Sequence, residues 1–156
     1  MKQSIDEKRE RPEWEEDILS SDRFEQAQLV RHHYRTSVAA HSKKTVEYAL
    51  RICARLKKHG VRINEKDVVR AALLHDIGMT DQKVSRSISF RKAYLHPRKS
   101  EQIAKEEFSA NEVQCNAIRR HMWPICLIPP RFREGWVVLA ADKCCSLWEI
   151  THKRCT

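Results

Sequence analysis

The sequence predicts an all-α protein, and two observations support that fold class. Only three of the 156 residues are glycine and five are proline, whereas β-sandwiches and barrels need many tight turns built from these residues. Apolar residues also recur at steps of three and four along several segments, which is the spacing of an amphipathic helix. We therefore expect a helical bundle of five principal helices plus short ones.

The N-terminal part predicts little order followed by two short helices. Residues 1–13 are polar and are expected to be loosely attached. A short helix is expected over 12–19, because the proline at its start suits a first helical turn. Ser21 and Asp22 are typical of a helix cap and predict a second short helix that runs to Val30.

The next two segments carry the strongest helical patterns. The helix predicted over about 36–58 has one stripe of residues for the core: Val38, His41, Thr45, Tyr48, Ala49, Ile52 and Leu56. Asn64 is expected to cap the following helix, whose apolar residues lead into His75 and Asp76 and end at Gly78. A polar pair at the closing turn of so apolar a helix is costly unless a partner compensates it.

The segment that follows shows no clear period. Residues 79–95 are basic and are expected to be irregular. Pro97 is expected to open a helix, since proline is tolerated in a first turn and disfavoured further along. Either Ser109 or Asn111 is expected to cap the next helix.

Two polar residues lie on apolar helical faces in the C-terminal part. His121 falls on the inner face of the helix whose cap is expected at Ser109 or Asn111. Asp142 lies within an apolar run of the final helix, which is expected to begin at 132–135. An unpaired buried carboxylate costs several kcal/mol. Lys143 is the nearest candidate partner for Asp142, and a metal ion is the alternative.

Four residues share this unusual setting at the inner faces or ends of apolar helices. They are His41, His75, Asp76 and Asp142. Any one of them could be a hydrogen-bonded core residue. A divalent cation explains all four together, because imidazole nitrogens and carboxylate oxygens suit iron, manganese, cobalt or zinc. We therefore predict that the four surround a shared metal ion.

The order of these residues resembles the HD metal-dependent phosphohydrolase superfamily, in which a histidine, a His-Asp pair and a later aspartate follow one another. The resemblance covers about 32–148 and implies a single domain over 1–156 with its core in that range. It further implies an enzyme that cleaves a phosphomonoester or phosphodiester of a small phosphorylated compound, with a nucleotide expected. A metal-activated hydroxide would attack, and Asp76 would be the catalytic residue that orients it.

His96 and His121 extend the resemblance to members that bind two metal ions. Those members, such as the bacterial HD hydrolases that split diadenosine tetraphosphate, add two histidines between the His-Asp pair and the last aspartate. The resemblance implies that His41, His75, Asp76 and Asp142 hold one ion, and that Asp76 bridges to a second ion held by His96 and His121. The alternative is a one-metal enzyme in which these two histidines bind substrate phosphate.

The basic side chains near the predicted ligands are candidates for substrate binding, and we single out His33, Arg98, Lys99 and Lys143. The formal net charge of +9 favours anionic partners in general. It leaves open an HD-fold protein that binds nucleic acid or regulates without turnover. An oxygenase is a further alternative, because a related helical family uses a two-iron site of similar ligands. The substrate and the oligomeric state are left open.

The six cysteines form no CxxC pair, and Cys144 and Cys145 are adjacent, a poor geometry for a mutual disulfide. The N-terminus lacks the apolar region of a signal peptide, and no apolar run approaches the roughly 18 residues of a membrane span. We therefore expect a cytoplasmic protein with free thiols and no membrane partner.

Overall fold

The computed structural model describes residues 11–33, 36–85 and 89–152, which are mostly helical. The all-α prediction is confirmed, and most of the N-terminal segment expected to be loosely attached lies outside the described residues. The helices are α1 (Glu13–Leu19), α2 (Asp22–Leu29), α3 (Val38–Lys58), α4 (Glu65–Leu74), α5 (Gln82–Ser85), α6 (Ser89–Phe108), α7 (Glu112–Arg120) and α8 (Arg133–Thr151).

The two short N-terminal helices form where the capping residues predict them. The Ser21 side chain accepts a hydrogen bond from the backbone N–H of Phe24 at 3.1 Å and begins α2. Ile18 and Phe24 are fully buried, so these helices are attached to the core. Helix α1 packs on α4, and α2 packs on α3.

A small antiparallel hairpin precedes α3. Strands β1 (Arg31–His33) and β2 (Thr36–Ser37) pair with each other, and Val38 donates a backbone hydrogen bond to Val30 at 2.9 Å. The prediction that α3 begins at 36 was therefore wrong by two residues. Ser37 caps the helix instead, because its side chain accepts from the N–H of Ala40.

Helix α4 forms the centre of the bundle and packs against α3, α7 and α8. Every residue from Asp67 to Leu74 is buried. The helix ends at Leu74 rather than continuing to Gly78, so that His75 and Asp76 form a turn that leads into a 3₁₀ helix over Ile77–Thr80. The two polar residues therefore lie at a turn in the interior of the bundle.

Helix α6 corrects the prediction for the basic segment. Pro97 lies inside this helix rather than at its start, and the irregular structure expected over 79–95 is largely helical where it is described. Proline removes one intrahelical hydrogen bond and clashes with the preceding turn. Here the buried residues His96 and Ser100 pack α6 against the 3₁₀ helix, and this packing offsets the cost.

The last two helices follow their predicted starts. Asn111 rather than Ser109 caps α7, because its side chain accepts from the N–H of Gln114 at 2.9 Å. Helix α8 begins directly after Phe132, within the predicted interval. Among the residues that the structure describes, no helix is both long and apolar enough to cross a membrane.

Candidate metal centre

The six predicted ligands come from five different helices or helix ends and lie together in the interior. His41 is in the first turn of α3, His75 and Asp76 follow α4, His96 is in α6, His121 follows α7 and Asp142 is in α8. All six are buried. Their contacts divide them into two groups that meet at Asp76.

The first group contains His41, His75, Asp142 and one oxygen of Asp76. Asp142 Oδ1 lies 3.1 Å from His41 Nε2 and 3.7 Å from His75 Nε2. Asp76 Oδ2 lies 3.2 Å from His75 Nε2 and 3.8 Å from His41 Nε2. Two atoms that bind one transition-metal ion at about 2.1 Å are at most about 4.2 Å apart. All four distances meet that limit.

The second group uses the other oxygen of Asp76. Asp76 Oδ1 lies 3.1 Å from His96 Nε2 and 3.4 Å from His121 Nε2. The two ring nitrogens are themselves 3.0 Å apart. These three atoms also meet the spacing that a shared ion requires. Asp76 Oδ1 therefore faces His96 and His121, whereas Asp76 Oδ2 faces His41 and His75, and His75 and His121 lie next to each other between the two groups.

Each of the four histidines directs Nε2 to the centre because Nδ1 is engaged elsewhere. A ligating imidazole commonly donates its other N–H to a carbonyl or carboxylate, which fixes its tautomer and orientation. The Nδ1 atoms donate in this way from His75 to Ala72 O (2.8 Å), from His96 to Lys92 O (2.8 Å), from His121 to Ile118 O (2.7 Å) and from His41 to Glu149 Oε1 (3.1 Å).

Two features of these nitrogens fit a cation. The Nε2 atoms of His96 and His121 face each other at 3.0 Å while both Nδ1 atoms already donate, so two lone pairs meet unless a proton or a metal ion lies between them. The buried Nε2 of His75 has no hydrogen-bond partner of acceptable geometry among the described residues. Divalent ions, which accept both nitrogen and oxygen ligands, would satisfy these three nitrogens.

Burial and the neighbouring charges shift the pKa values of this cluster strongly. Burial by itself lowers the pKa of His41, but hydrogen bonds to Asp142, Cys145 and Glu149 outweigh it and raise this pKa to about 12. Burial likewise opposes protonation of His75, yet the charge of Asp76 and the contact with Asp142 raise its pKa to about 10. In the protein by itself, therefore, protons occupy the positions that a metal ion would take.

The pKa values of the two carboxylates and of His121 are lowered, opposite to those of His41 and His75. Burial would raise the pKa of Asp76, but the neighbouring His75 and His32 outweigh it, and the pKa is held well below its usual range. Burial would also raise the pKa of Asp142, but the hydrogen bond from His41 and the nearby His75 outweigh it and hold this pKa well below its usual range. Burial lowers the pKa of His121 to about 4, so this imidazole is neutral and its nitrogen is available as a ligand.

Two residues at the centre lie outside the set of ligands predicted from sequence. His32 Nε2 lies 2.7 Å from Asp76 Oδ2, and Glu149 accepts the hydrogen bond from His41. The side chain of His33, which we singled out for substrate binding, lies outside the described part of the chain. Glu149 shares one face of α8 with Asp142 and Cys145, since the three follow at steps of three and four, and that spacing could have indicated it.

A cavity of about 310 Å³ opens onto the centre. Its walls include Lys92, Lys143 and Ser146, with Met79 and Met122 as apolar contacts. Lys143 Nζ lies 3.0 Å from Asp142 Oδ2, so the partner proposed from sequence for this carboxylate is in place.

The other two substrate candidates lie elsewhere. Arg98 packs over the ring of Tyr94 at 4.3 Å, and Lys99 Nζ lies 3.5 Å from the Asp81 carboxylate. Neither residue lines the cavity. If Arg98 and Lys99 contact substrate, they do so beyond the cavity walls, whereas Lys143 lines the cavity.

The comparison with protein families gives one match. The family model of the HD domain matches residues 38–145, which covers more than half of the chain. HD domains bind divalent metal ions, and proteins with this domain are largely metal-dependent hydrolases. No curated protein and no solved structure matches the chain.

Proposed function

Because the chain belongs to the HD domain family, we propose that it is a metal-dependent phosphohydrolase that cleaves a phosphomonoester or phosphodiester of a small compound, with a nucleotide as the expected substrate. The observation that carries this proposal is the position of Asp76. Its Oδ2 lies near His41 and His75, and its Oδ1 lies near His96 and His121. A carboxylate with this arrangement can bridge two ions, as two-metal phosphatases and nucleases require.

The charge of the centre supports an anionic substrate. Asp76 and Asp142 supply two negative charges, whereas two divalent ions would carry four positive charges, so the centre would keep a positive excess. Lys92 and Lys143 add further positive charge at the cavity. A phosphate group matches this excess, and the cavity of about 310 Å³ is at the small end of ligand sites.

Each group at the centre would have a separate role in hydrolysis. Divalent ions at such a site acidify water so that hydroxide is available near neutral pH, and they neutralise charge on the phosphoryl oxygens. Asp76 would accept a hydrogen bond from the attacking water and orient it. Lys143, tied to Asp142, would hold its ammonium group at the cavity and position a phosphate oxygen. Burial of the imidazoles keeps bulk water from competing with the substrate.

Removal and return of metal test the proposal. The protein, purified and then treated with a chelator, is assayed against phosphomonoesters, phosphodiesters and nucleotides before and after addition of Mn²⁺, Co²⁺, Fe²⁺ or Zn²⁺. We expect hydrolysis to be lost on chelation and to return with at least one of these ions. Full activity after complete removal of metal would contradict the proposal. So would salt-dependent binding of RNA with no hydrolysis under any metal, which would favour the nucleic-acid-binding alternative.

A count of bound ions separates the two-metal enzyme from the one-metal alternative. We expect about two ions per chain in the wild-type protein and about one in His121→Gln, because this variant removes a ligand of the second group only. Metal analysis after equilibrium dialysis gives both numbers. Equal metal content in the two proteins would favour a centre in which His121 contacts phosphate.

A further inference from the structure

Glu149 is a buried acid that lies beyond the span matched by the HD family model. That span ends at 145, and Glu149 follows it in the last turns of α8. Its side chain is only 5% exposed, although its neighbours Trp148 and Ile150 are both exposed. A buried carboxylate costs several kcal/mol unless a positive partner or hydrogen-bond donors compensate it. The residue therefore needs a partner in the interior.

The described partners of Glu149 all lie at one of its two oxygens. Glu149 Oε1 accepts a hydrogen bond from His41 Nδ1 at 3.1 Å and lies 3.7 Å from Cys145 Sγ. Glu149 Oε2 is buried and has no hydrogen-bond partner among the described residues. Because a thiol is a weak donor, the imidazole of His41, carrying a proton or a metal ion, is the group that compensates the charge. The carboxylate thus acts on the metal centre through the ring of one predicted ligand.

Helix α8 holds the His41 ring at both of its nitrogens. Asp142 Oδ1 lies 3.1 Å from His41 Nε2, and Glu149 Oε1 lies 3.1 Å from His41 Nδ1. The two acids are seven positions apart, about two turns or about 10.5 Å along the helix, so they share a face and leave room for a ring between them. The ring of His32 stacks on one face of the His41 ring, with the centroids 3.8 Å apart. These contacts fix the orientation of the ring and keep Nε2 directed at the first group.

The group that accepts from Nδ1 differs between His41 and the other three histidines. The Nδ1 atoms of His75, His96 and His121 donate to neutral backbone carbonyls. That of His41 donates to the carboxylate of Glu149. A carboxylate partner raises the basicity of a ligating imidazole, and loss of such a partner typically costs about 10–100-fold in metal affinity. His41 is therefore the strongest nitrogen donor of the four.

We propose that Glu149 is a positioning residue that strengthens His41 as a ligand, and that the first group binds its ion more tightly than the second group as a result. The inference rests on the metal centre of the proposed function. Glu149 touches neither ion nor substrate and acts through His41. Its charge also favours a proton at His41 Nε2, but a divalent ion carries twice the charge of a proton, so the carboxylate favours the ion more. The ion of the second group, whose histidines have no carboxylate partner at Nδ1, exchanges more readily.

Binding of Co²⁺ to the metal-stripped full-length protein tests the inference in Glu149→Gln. This variant keeps the shape of the side chain and an oxygen that can accept from His41 Nδ1, but it removes the charge. Equilibrium dialysis with metal analysis gives the affinities, and comparison of His121→Gln with and without Glu149→Gln identifies the step of the first group. We expect that step to weaken by about 10-fold, the lower end of the usual range, because a competing proton at Nε2 is also held less strongly. The second step is expected to stay unchanged.

A matched control and a stability measurement separate this role from others. Glu112→Gln removes the charge of a glutamate that is 75% exposed at the start of α7, and it is expected to bind Co²⁺ like the wild type. Urea unfolding in a chelator measures what Glu149 contributes to the fold. Lower stability with unchanged Co²⁺ affinity would mean that Glu149 only ties α8 to α3, and it would overturn the inference.

A direct contact between Glu149 and an ion is the other alternative, because atoms of His41, Cys145 and Glu149 lie within 4.8 Å of one another and could themselves hold a cation. Loss of a whole ion in Glu149→Gln, rather than weaker binding of the ion of the first group, would identify Glu149 as a ligand and overturn the inference. Equal weakening of both steps would overturn it too, since the effect would not depend on His41.

The outcomes also separate this inference from the proposed function. Unchanged affinities in Glu149→Gln, together with metal-dependent hydrolysis, would overturn the inference and leave the phosphohydrolase standing. Weaker binding at the first group in Glu149→Gln, with no hydrolysis of any phosphate ester by the wild type, would support the inference and contradict the phosphohydrolase. No metal bound to the wild type would overturn both.

Discussion

The N-terminal and C-terminal ends of α4 both bury charged side chains, and the two ends satisfy those charges in different ways. At the N-terminal end, Asp67 Oδ1 accepts hydrogen bonds from Asn111 Nδ2 at 2.8 Å and from Gln114 Nε2 at 2.7 Å. One neutral acceptor, Gln114 Oε1, has no hydrogen-bond partner among the described residues. One oxygen of the carboxylate thus accepts from both α7 and its cap residue.

Arg70 completes this end of the helix. Its guanidinium donates to the Asp17 carboxylate at 2.7 Å, to the Phe108 carbonyl at 2.8 Å and to the Trp14 carbonyl. These partners come from α1 and from the end of α6, so the network ties three elements together. The charged groups of this end, Asp67 and Arg70, are paired by groups of the protein itself, and the network serves to hold the fold.

At the C-terminal end the donors and acceptors do not match. His75 Nε2 has no hydrogen-bond partner among the described residues, and two imidazole lone pairs from His96 and His121 point at each other. Such buried groups are costly unless something is bound between them. The comparison shows how two buried polar clusters can differ. Charged groups that are paired by other groups of the protein indicate a structural role, whereas ring nitrogens that lack donors indicate a site for a bound cation.

Substitution of Asp76 is expected to have the largest effect. Asp76→Asn keeps the shape of the side chain but removes the charge that both ligand groups share. We expect the protein to stay folded, to lose both ions and to lose more than about 10³-fold in hydrolysis rate. Losing a single electrostatic contact can cost up to about that much, and here two ions are lost. Metal analysis and the hydrolysis rate measure these losses. Asp67→Asn at the opposite end of α4 is the matched control and is expected to keep its metal. Wild-type metal content in Asp76→Asn would remove the distinction between the two ends.

Substitution of Arg70 is expected to show the reverse pattern. Arg70→Met leaves the two carbonyls without their donor and leaves the Asp17 charge unpaired. Loss of one partner of a buried pair costs about 3–5 kcal/mol, and because Asp17 is 46% exposed we expect about 2–3 kcal/mol of unfolding free energy. Urea unfolding in a chelator measures this loss. Metal content per folded molecule should equal that of the wild type, and Arg55→Met, at an exposed position of α3, should unfold like the wild type.

Gly78 lies against α6 beside the carbonyl of His96, so a substitution there is expected to affect both stability and metal binding. A Cβ at this position would lie 2.5 Å from the Ser100 backbone nitrogen and 2.6 Å from the His96 carbonyl oxygen, so Gly78→Ala must push α6 away. Overpacking of this kind costs about 1–3 kcal/mol. We expect a similar loss of stability in Gly60→Ala, because Gly60 has φ +76° and an alanine there costs about 1–2 kcal/mol. Gly78→Ala alone should also lose the second ion, since His96 moves with α6. Equal metal content in the two variants would show that α6 tolerates the shift.

The smallest expected effect is a release of protons when metal binds. At pH 7 the metal-free protein carries protons on His41 and His75, whose pKa values are raised to about 12 and about 10, and a metal ion must displace them. His121, with a pKa lowered to about 4, has none to give. We expect release of at least two protons per chain, two from the imidazoles and any further one from metal-bound water, and an affinity that rises with pH up to the raised pKa values. Calorimetry in two buffers of different ionisation enthalpy counts the protons, and heats that do not depend on the buffer would contradict this assignment.

Much of the fold could be predicted because helical periodicity is local. The stripe of α3, the apolar run of α4 and the start of α8 each follow from residues close in sequence. The start of α6 could not, because the penalty for Pro97 is local while the packing that offsets it comes from the distant 3₁₀ helix. The β1–β2 hairpin was missed because its strands have three and two residues, too few to show an alternating pattern.

The site was predictable where polar residues interrupt apolar helices, as His41, His75 and Asp142 do. They come together as expected, and their role as metal ligands stays a prediction. Glu149 lies between the exposed Trp148 and Ile150 and therefore looks like an ordinary surface acid. His32 lies outside every predicted helix, and its approach to Asp76 depends on how the hairpin folds back, which periodicity does not encode.

The proline inside α6 also changes what the cavity offers to a substrate. Pro97 has no N–H to give to the carbonyl of Ala93, four residues earlier, and Ala93 is one of the residues that line the cavity. A helix wall normally presents only side chains, because its carbonyls are all engaged along the axis. Pro97 therefore leaves this carbonyl without its usual helical donor one turn before His96, and a substrate hydroxyl or amino group that reached it would donate without breaking a helical hydrogen bond.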